Sequence, residues 1–428
     1  MRRINPWTRI PATRRHVLLV TDAYPPEIRS ASLLMRELAM GLATRGYTVS
    51  VLTTFPRYNL TPQAAAAFAR RRSNLVKDEE GVRVLRIPTP AIHNNGAVSK
   101  GFGQATLPLL LGAAGSLLPK VDAIITYSPP LPLGIASAAL KARFGATFIL
   151  NVQDLFPQNA IDLGVLKNKT LIRLAEGMES ACYRAADHVT CHSEGNLNWL
   201  RRHPALVQCP ERVDVVHNWV DVDRYQDTPS DPTVRQRLGL SGKFVFFFGG
   251  VMGYAQDLDT TIRAAHLLKD RSDIAFLLVG DGVARERLVA DAGDLPNVTF
   301  HPFIAESDYI AWLRAMDAGL VTLRAEMATP VVPSKLLGFM AAGLPYLALL
   351  NRESDARVIT AEGQCGTMLT PGDAAAMASA AVWLADHRDE AANMGARGLV
   401  YARAHFSRDA CIDRYMALIG PPNLSEET

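Results

Sequence analysis

Cysteine is scarce in this chain, and long apolar runs are missing. The five cysteines among 428 residues form no C-x-x-C pair, so their spacing favours reduced thiols over disulfides and predicts no metal site. No stretch reaches the roughly 18 apolar residues of a membrane-spanning helix, and no secretory signal is evident. These absences predict a cytoplasmic protein.

Concentrated charge is also missing. The formal net charge is only +3, which is too small to favour nucleic-acid binding. Five arginines and Trp7 nevertheless fall within residues 1–15, a basic and aromatic start that could lie on anionic lipid headgroups or remain a solvated terminus. The apolar residues 105–118 could dip into one leaflet, although a buried core helix is the favoured interpretation.

What is present is a repeated alternation of apolar strands and periodic helical segments. Hydrophobic residues make up 48% of the chain and charged residues 20%, a balance typical of globular proteins. An apolar run from His16 is followed by a helical segment at 32–44 and a second strand from Gly46, which predicts a βαβ unit. The same rhythm recurs to residue 217 and, after a polar stretch, from Phe244 onwards.

This pattern predicts an α/β protein of two Rossmann-like, doubly wound domains facing across a cleft. The predicted N-terminal domain covers residues 1–222, and the predicted C-terminal domain covers 223–405. A final helical segment, 406–428, could cross back to the N-terminal domain.

Three turns of the second half have the features of a phosphate-binding site. Gly249–Gly253 and Gly280–Gly282 each follow a buried strand, where glycine lets a ligand approach the backbone. Ser334 is a predicted helix cap, and Lys335 falls in the first helical turn, where a bound anion would favour a cation. Ligand-free glycine turns and a surface lysine are the alternatives, but three such turns in one domain together favour a nucleotide site.

Several motifs in order resemble glycosyltransferase family four, a family of retaining enzymes with the GT-B fold. The bacterial N-acetyl-L-fucosamine transferases of O-antigen and surface-polysaccharide assembly are the most similar branch. The matching motifs are Tyr24–Glu27, Gln153–Gln158, Asp162–Gly164, Asn218–Asp221, Gly250–Leu258, Gly280–Gly282, Pro333–Gly338, Met340–Gly343 and Gly363–Gly366.

The resemblance implies transfer of a sugar from a UDP-sugar to an undecaprenyl-diphosphate-linked or growing glycan acceptor, with no cofactor and no metal. It assigns acceptor binding to the N-terminal domain and nucleotide-sugar binding to the C-terminal domain. It places the enzyme at the inner face of the cytoplasmic membrane, as a peripheral membrane protein. Asp154 and Lys335 are the implied catalytic residues. The implied donor-binding residues are Gly250, Gly253, Gln256, Gly280, Gly282, Arg285, Phe303, Ser334, Lys335 and Gly338.

The chain departs from the family pattern at four positions. Two glutamates that contact the donor are replaced by Pro330 and Gly338, so the ribose contact must come from elsewhere. Tyr254 stands in place of a basic residue and Gln153 in place of a histidine. Lys335, backbone amides and Arg285 would then carry the phosphate charge.

These departures leave other functions open. A catalytically degenerate binding protein and a sugar-nucleotide 2-epimerase share the expected fold, although the epimerase lacks the Pro-Pro and Q-D-x-F-P segments. Asp154 itself could position the acceptor hydroxyl or merely cap the following turn.

Overall fold

Parallel strands alternate with helices along most of the chain in the computed structural model. It describes residues 14–56, 60–69, 75–88, 97–327, 330 and 332–422. The chain divides into two compact units. Unit 1 comprises residues 1–217 and 409–428, and unit 2 comprises residues 218–408. These limits differ by a few residues from the predicted boundaries at 222 and 405.

Unit 1 contains an eight-stranded sheet in the order β3-β4-β2-β1-β5-β6-β7-β8. Its strands are β1 (His16–Val20), β2 (Thr48–Thr54), β3 (Leu75–Glu79), β4 (Val82–Ile87), β5 (Ala123–Ser128), β6 (Thr147–Val152), β7 (His188–Cys191) and β8 (Val213–Val215). All neighbours are parallel except β3, which runs antiparallel to β4 at the edge. The prediction of an open parallel sheet therefore missed this edge strand.

Helices cover the sheet and surround an apolar core. The helices of the first 217 residues are α1 (Ser30–Thr44), α2 (Pro62–Ala69), α3 (Ala97–Gly115), α4 (Leu131–Phe144), α5 (Gln158–Asp162), α6 (Lys169–Ala185) and α7 (Glu194–Arg201). The core packs residues such as Leu18, Ile124 and Phe148 between sheet and helices. Because both faces of the central strands are buried, these strands are apolar throughout rather than alternating.

Unit 2 contains a six-stranded parallel sheet in the order β11-β10-β9-β12-β13-β14. Its strands are β9 (Phe244–Gly249), β10 (Ile274–Val279), β11 (Val298–His301), β12 (Ala318–Thr322), β13 (Tyr346–Leu349) and β14 (Gly366–Leu369). Phe246 stacks on Phe276 in the core, with ring centroids 5.4 Å apart. The sequence pattern indicated all of these strands except β14.

The remaining helices follow the same alternation. They are α8 (Val222–Asp227), α9 (Thr233–Arg237), α10 (Leu258–Leu267), α11 (Arg285–Ala292), α12 (Glu306–Leu313), α13 (Ser334–Ala342), α14 (Ala356–Gly363), α15 (Ala374–Asp386), α16 (Arg388–His405) and α17 (Arg408–Ile419). Nearly all of α17 belongs to unit 1. Arg45 pairs there with Asp409 at 3.0 Å and with Asp413 at 3.2 Å, and the Tyr47 hydroxyl donates to the Gly420 carbonyl at 2.6 Å.

The apolar segment 105–118 lies mostly in α3, and one side of it is core. Leu107 and Leu111 are buried, whereas Leu109 and Leu117 are 75% and 70% exposed. No helix within the described ranges is both long and apolar enough to cross a bilayer. Of the arginine-rich start, residues 1–13 lie outside the described residues.

Candidate active site

Two glycine turns of unit 2 are in direct backbone contact. Gly250 follows the carboxyl end of β9, and its N–H donates to the Val279 carbonyl at 2.9 Å, while Met252 N–H donates to the Asp281 carbonyl at 2.8 Å. Gly280 has a φ of 141°, and a Cβ added to it would lie 1.8 Å from the Gly250 carbonyl oxygen. Only glycine fits there, because both the backbone angle and the space exclude a side chain.

Lys335 reaches back from α13 to these turns. Its Nζ lies 5.0 Å from the centroid of the Phe248 ring, and a Cβ on Gly250 would come within 3.3 Å of that nitrogen. The side chain is half-buried, and loss of hydration lowers the pKa of Lys335 from 10.5 to about 8. Because the described residues place no carboxylate in salt-bridge range of Lys335, the arrangement suits an anionic ligand.

The helix starts nearby differ in how well they suit an anion. The first turns of α10 and α11 contain Asp259 and Glu286, whereas that of α13 contains no acidic residue. The α13 start therefore keeps its positive dipole end for a ligand. The prediction that Ser334 caps α13 was wrong, because Pro333 holds the cap position and Ser334 is the first helical residue.

The two arginines after Gly282 have different environments. Arg287 pairs with Asp291 at 2.8 Å, and its Nη2 donates to Asp259 at 3.0 Å, so it ties α11 to α10. Arg285 is half-buried, and its buried Nε has no hydrogen-bond partner in the described part of the chain. Of the two, Arg285 is therefore the better placed to receive an anion.

The other predicted donor residues lie in the same strand-end region. Gln256 follows the first glycine turn and donates its N–H to the Gly253 carbonyl at 3.2 Å. Gly253 has an ordinary φ, and a Cβ there would meet nothing closer than 3.7 Å, so its lack of a side chain leaves open space. Phe303 is half-buried two residues beyond β11, the strand that pairs with β10.

Tyr225 is a candidate site residue that the sequence reasoning missed. Its hydroxyl lies 3.1 Å from where a Cβ of Gly338 would be, and its carbonyl accepts from Arg314 Nη1 at 3.0 Å. Lys335 and Gly338 are three residues apart on α13 and thus share a face of the helix. The sequence signal was the glycine at 338 in place of a glutamate, which implied that the ribose contact comes from another residue.

Unit 1 has its own polar group at the carboxyl ends of adjacent strands. Asp22 follows β1, and Arg29 pairs with Asp22 at 3.4 Å and with Glu27 at 2.7 Å. Buried Arg86 of β4 donates to the Pro25 carbonyl at 2.6 Å and pairs with Glu79 at 2.8 Å. The Arg86 guanidinium thereby holds Pro25 in the loop that precedes α1.

Asp154 lies two residues beyond β6, next to the end of β5. Burial raises the pKa of Tyr127 on β5, and the negative charges of Asp154 and Asp22 raise it further. Loss of hydration at this strand end also raises the pKa of the Asp154 carboxyl above its ordinary value, although part of the side chain remains exposed. Phe156 N–H donates to the main-chain carbonyl of Asp154 at 2.9 Å. The structure assigns no capping bond to the Asp154 carboxylate within the described chain.

A metal site would need several His, Cys, Asp or Glu side chains close together. Among the residues that the structure describes, no three of the His, Cys, Asp and Glu side chains are close enough together to hold an ion.

Two family descriptions match successive parts of the chain. Residues 32–219 match the glycosyl transferase 4-like domain, and residues 242–387 match glycosyl transferases group 1. The first matched range lies almost entirely in unit 1, and the second lies in unit 2 with the glycine turns and Lys335.

Curated relatives agree with this match. The putative colanic acid biosynthesis glycosyl transferase WcaI of Escherichia coli is 27% identical over 76% of this chain and 81% of its own length. The probable glycosyltransferase WbjE of Pseudomonas aeruginosa is 27% identical over 68% of this chain and 72% of its own length.

Solved structures show the same fold. Sucrose-phosphate synthase from Thermosynechococcus elongatus superposes with a TM-score of 0.73 at 16% identity, covering 95% of this chain and 98% of that chain. The Anabaena protein HepE, solved with UDP and glucose, superposes with a TM-score of 0.67 at 17% identity, covering 94% of this chain and 98% of that chain. With both units matched and the fold shared along the chain, this protein is a glycosyltransferase of the GT-B fold.

Proposed function

We propose that this glycosyltransferase moves a sugar from a UDP-sugar to a lipid-linked or growing glycan acceptor in cell-surface polysaccharide biosynthesis, with retention of configuration. The observation that carries the proposal is the half-buried ammonium of Lys335. It lies against two glycine turns, and no carboxylate partner is found among the described residues. A diphosphate would supply the missing negative charge.

The comparisons support the donor and the pathway. The structures of HepE contain UDP or UDP-glucose. WcaI is named for colanic acid biosynthesis, and the superposable WaaG, with a TM-score of 0.66, is described as acting in lipopolysaccharide biosynthesis. We propose an N-acetylated 6-deoxyhexosamine as the first sugar to test, on the sequence resemblance stated above.

Lys335 and the start of α13 have the chemistry that departure of UDP requires. As the bond between the sugar and the diphosphate breaks, negative charge grows on the leaving oxygen. The Lys335 ammonium and the N–H groups of the first α13 turn would stabilise that charge in place, with Arg285 as a further cation. Retention follows if the acceptor hydroxyl enters on the face from which UDP leaves.

Asp154 is the residue that we assign to the acceptor. Its carboxylate is exposed and has no capping bond in the described chain, so it can accept a hydrogen bond from a hydroxyl group. A raised pKa makes the carboxylate a better base for the proton that the hydroxyl loses. An undecaprenyl-diphosphate-linked acceptor would place the enzyme at the inner face of the cytoplasmic membrane.

UDP titration of Lys335→Met tests the donor site. Because the substitution removes a charge-assisted contact, UDP affinity should fall by about 1.5–3 kcal/mol, or roughly 10- to 150-fold. The exposed Lys269 of unit 2 provides a matched control, and Lys269→Met should bind UDP like the parent. Equal affinity of Lys335→Met and the parent would overturn the assignment.

Release of UDP from a UDP-sugar tests the reaction itself. Release that depends on added lipid-linked acceptor supports transfer. Interconversion of the UDP-sugar without acceptor would instead indicate an epimerase.

A further inference from the structure

An apolar and basic surface of unit 1 is not accounted for by either strand-end site. We call residues 165–177 the α6 tip, since they include the start of α6 and the turn before it. Three large apolar side chains are exposed there: Val165 at 66%, Leu171 at 53% and Leu174 at 63%. Exposed apolar side chains grouped within thirteen residues mark an interaction surface more often than isolated ones do.

The α6 tip contributes no fully buried side chain to the core of unit 1. The buried residues of α6, Glu179, Cys182 and Tyr183, all lie in the second half of the helix. The first turns are nevertheless well formed, because the Asn168 side chain accepts from Thr170 N–H at 3.0 Å and from Leu171 N–H at 3.1 Å. The exposed leucines therefore belong to an ordered helix end.

Positive charge surrounds these apolar side chains. Lys167, Lys169 and Arg173 are exposed, and none of the three lies within 4 Å of a carboxylate among the described residues. Glu176 is the one acidic residue in the sequence 165–177. The α6 tip thus combines apolar side chains with a net charge of +2, from three basic residues and one acidic residue.

The exposed leucines in and just after α3 have a different charge environment from those of the α6 tip. Leu109 on α3 and Leu117, two residues beyond its end, are exposed, but the cation that follows them, Lys120, pairs with Asp122 at 3.3 Å. The exposed Leu109 and Leu117 are thus followed by a neutralised cation, whereas the three cations of the α6 tip have no carboxylate partner among the described residues.

We infer that the α6 tip docks on an anionic lipid surface. Apolar side chains that enter the interface and lysines or arginines that meet anionic headgroups are the two contributions of interfacial helices. The inference rests on the proposed function in one respect, since a lipid-linked acceptor requires the enzyme to work at a membrane.

The α6 tip is continuous with the segment that carries Asp154. Asn159 N–H donates to the Leu155 carbonyl at 2.9 Å, and Val165 N–H donates to the Ala160 carbonyl at 2.9 Å. The short helix α5 thus joins the two by ordered hydrogen bonds. Docking of the α6 tip would hold the acceptor residue at a fixed height above the lipid surface.

Flotation of the full chain with vesicles tests the inference. Phosphatidylcholine vesicles with and without phosphatidylglycerol are compared for the parent, for Lys167→Gln/Lys169→Gln/Arg173→Gln and for Leu171→Ser/Leu174→Ser. The matched control in unit 2 is Leu267→Ser/Lys269→Gln, which changes a leucine that is 61% exposed and a neighbouring exposed lysine.

The parent and the control should float with the anionic vesicles. With the neutral vesicles, both proteins should remain at the bottom of the gradient. Each lost cation should weaken anionic binding about fivefold, or roughly 100-fold for the triple variant. The leucine variant should lose the part of the binding that survives high salt. A triple variant that floats like the parent, or a parent dimer that the leucine substitutions dissociate, would overturn the inference.

UDP affinity, measured on the same proteins, separates this inference from the proposed function. All four proteins should bind UDP equally, because the α6 tip belongs to unit 1. If the parent floats, the triple variant does not and neither binds UDP, the α6 tip is supported and the donor assignment is contradicted. UDP binding by a parent that does not float would support the donor assignment and contradict the inference about the α6 tip.

Discussion

Units 1 and 2 place polar groups at the same part of similar parallel sheets, but the charges are arranged in opposite ways. In unit 2, Lys335 lies beside glycine turns, and the structure places no carboxylate near it among the described residues. In unit 1, Arg29 is neutralised by Asp22 and Glu27, Arg86 by Glu79, and Asp154 adds an exposed carboxylate.

The difference indicates which ligands the strand ends of each unit can bind. The strand ends of unit 2 place a lysine beside the glycine turns with no carboxylate in salt-bridge range among the described residues, an arrangement that stabilises an anion such as a diphosphate. The edge of unit 1 has a surplus of carboxylates and disfavours an anion, but it can accept hydrogen bonds from neutral hydroxyl groups. Ligand preference therefore follows from how the side chains at a strand edge are paired, more than from the fold that the units share.

The largest expected effect comes from Asp154→Asn, which tests whether the carboxylate of unit 1 serves the acceptor. Turnover should fall by about 100-fold or more, the usual scale for a positioned acid or base. UDP affinity should stay nearly unchanged, because the cationic groups belong to unit 2. The measurements are transfer rate, UDP affinity and melting temperature.

Glu211→Gln is a suitable control for this change, since Glu211 is an exposed acid elsewhere in unit 1. A capping role for Asp154 would give a different result: a stability loss of around 1 kcal/mol with turnover per folded molecule preserved. Unchanged turnover would remove Asp154 from the site.

The pH dependence of UDP binding tests the unpaired cation of unit 2. Burial disfavours the charged form, so the pKa of Lys335 is lowered to about 8 and the free site loses its proton as pH rises through that value. UDP affinity should fall by up to about tenfold per pH unit above 8, until the pKa of the complex is reached. Lys335→Met should show no such decline, and a parallel decline in both proteins would contradict the assignment.

Most of the fold could be predicted from the sequence, for a reason visible in the central strands. Strands such as β9 and β10 are buried on both faces and therefore apolar without interruption. The missed strands are of another kind. β3 is a short edge strand rich in charge, LVKDE, and β14 is the half-buried GTML, so neither has the apolar run that marks a central strand.

The candidate site was only partly predictable. The glycine turns and Lys335 are close in sequence to the strands and helix that position them, so their spacing was informative. The contact between Tyr225 and Gly338 joins residues 113 positions apart, which no local pattern reveals. The prediction that Ser334 caps α13 was wrong because Pro333 occupies the cap position.

Tyr225→Phe has the smallest expected effect and tests whether the Tyr225 hydroxyl contacts the nucleotide bound at the strand ends of unit 2. The Tyr225 hydroxyl lies against Gly338, one helical turn along α13 from Lys335. A UDP molecule whose phosphates meet Lys335 could therefore extend its ribose toward this hydroxyl. Because a neutral hydrogen bond contributes about 0.5–1.5 kcal/mol, UDP affinity should fall roughly two- to tenfold.

Deoxy nucleotides show whether that loss concerns the ribose. The parent should prefer UDP to 2′-deoxy-UDP or to 3′-deoxy-UDP, whichever lacks the contacted hydroxyl, and Tyr225→Phe should lose that preference. Tyr401→Phe is the control, since the Tyr401 hydroxyl donates instead to Glu362 at 2.5 Å. Equal preferences in the parent and in Tyr225→Phe would show that the ribose contact lies elsewhere. In that case Tyr225 would only fill the space beside Gly338, and the unit 2 edge would recognise the nucleotide through its phosphates without this hydroxyl.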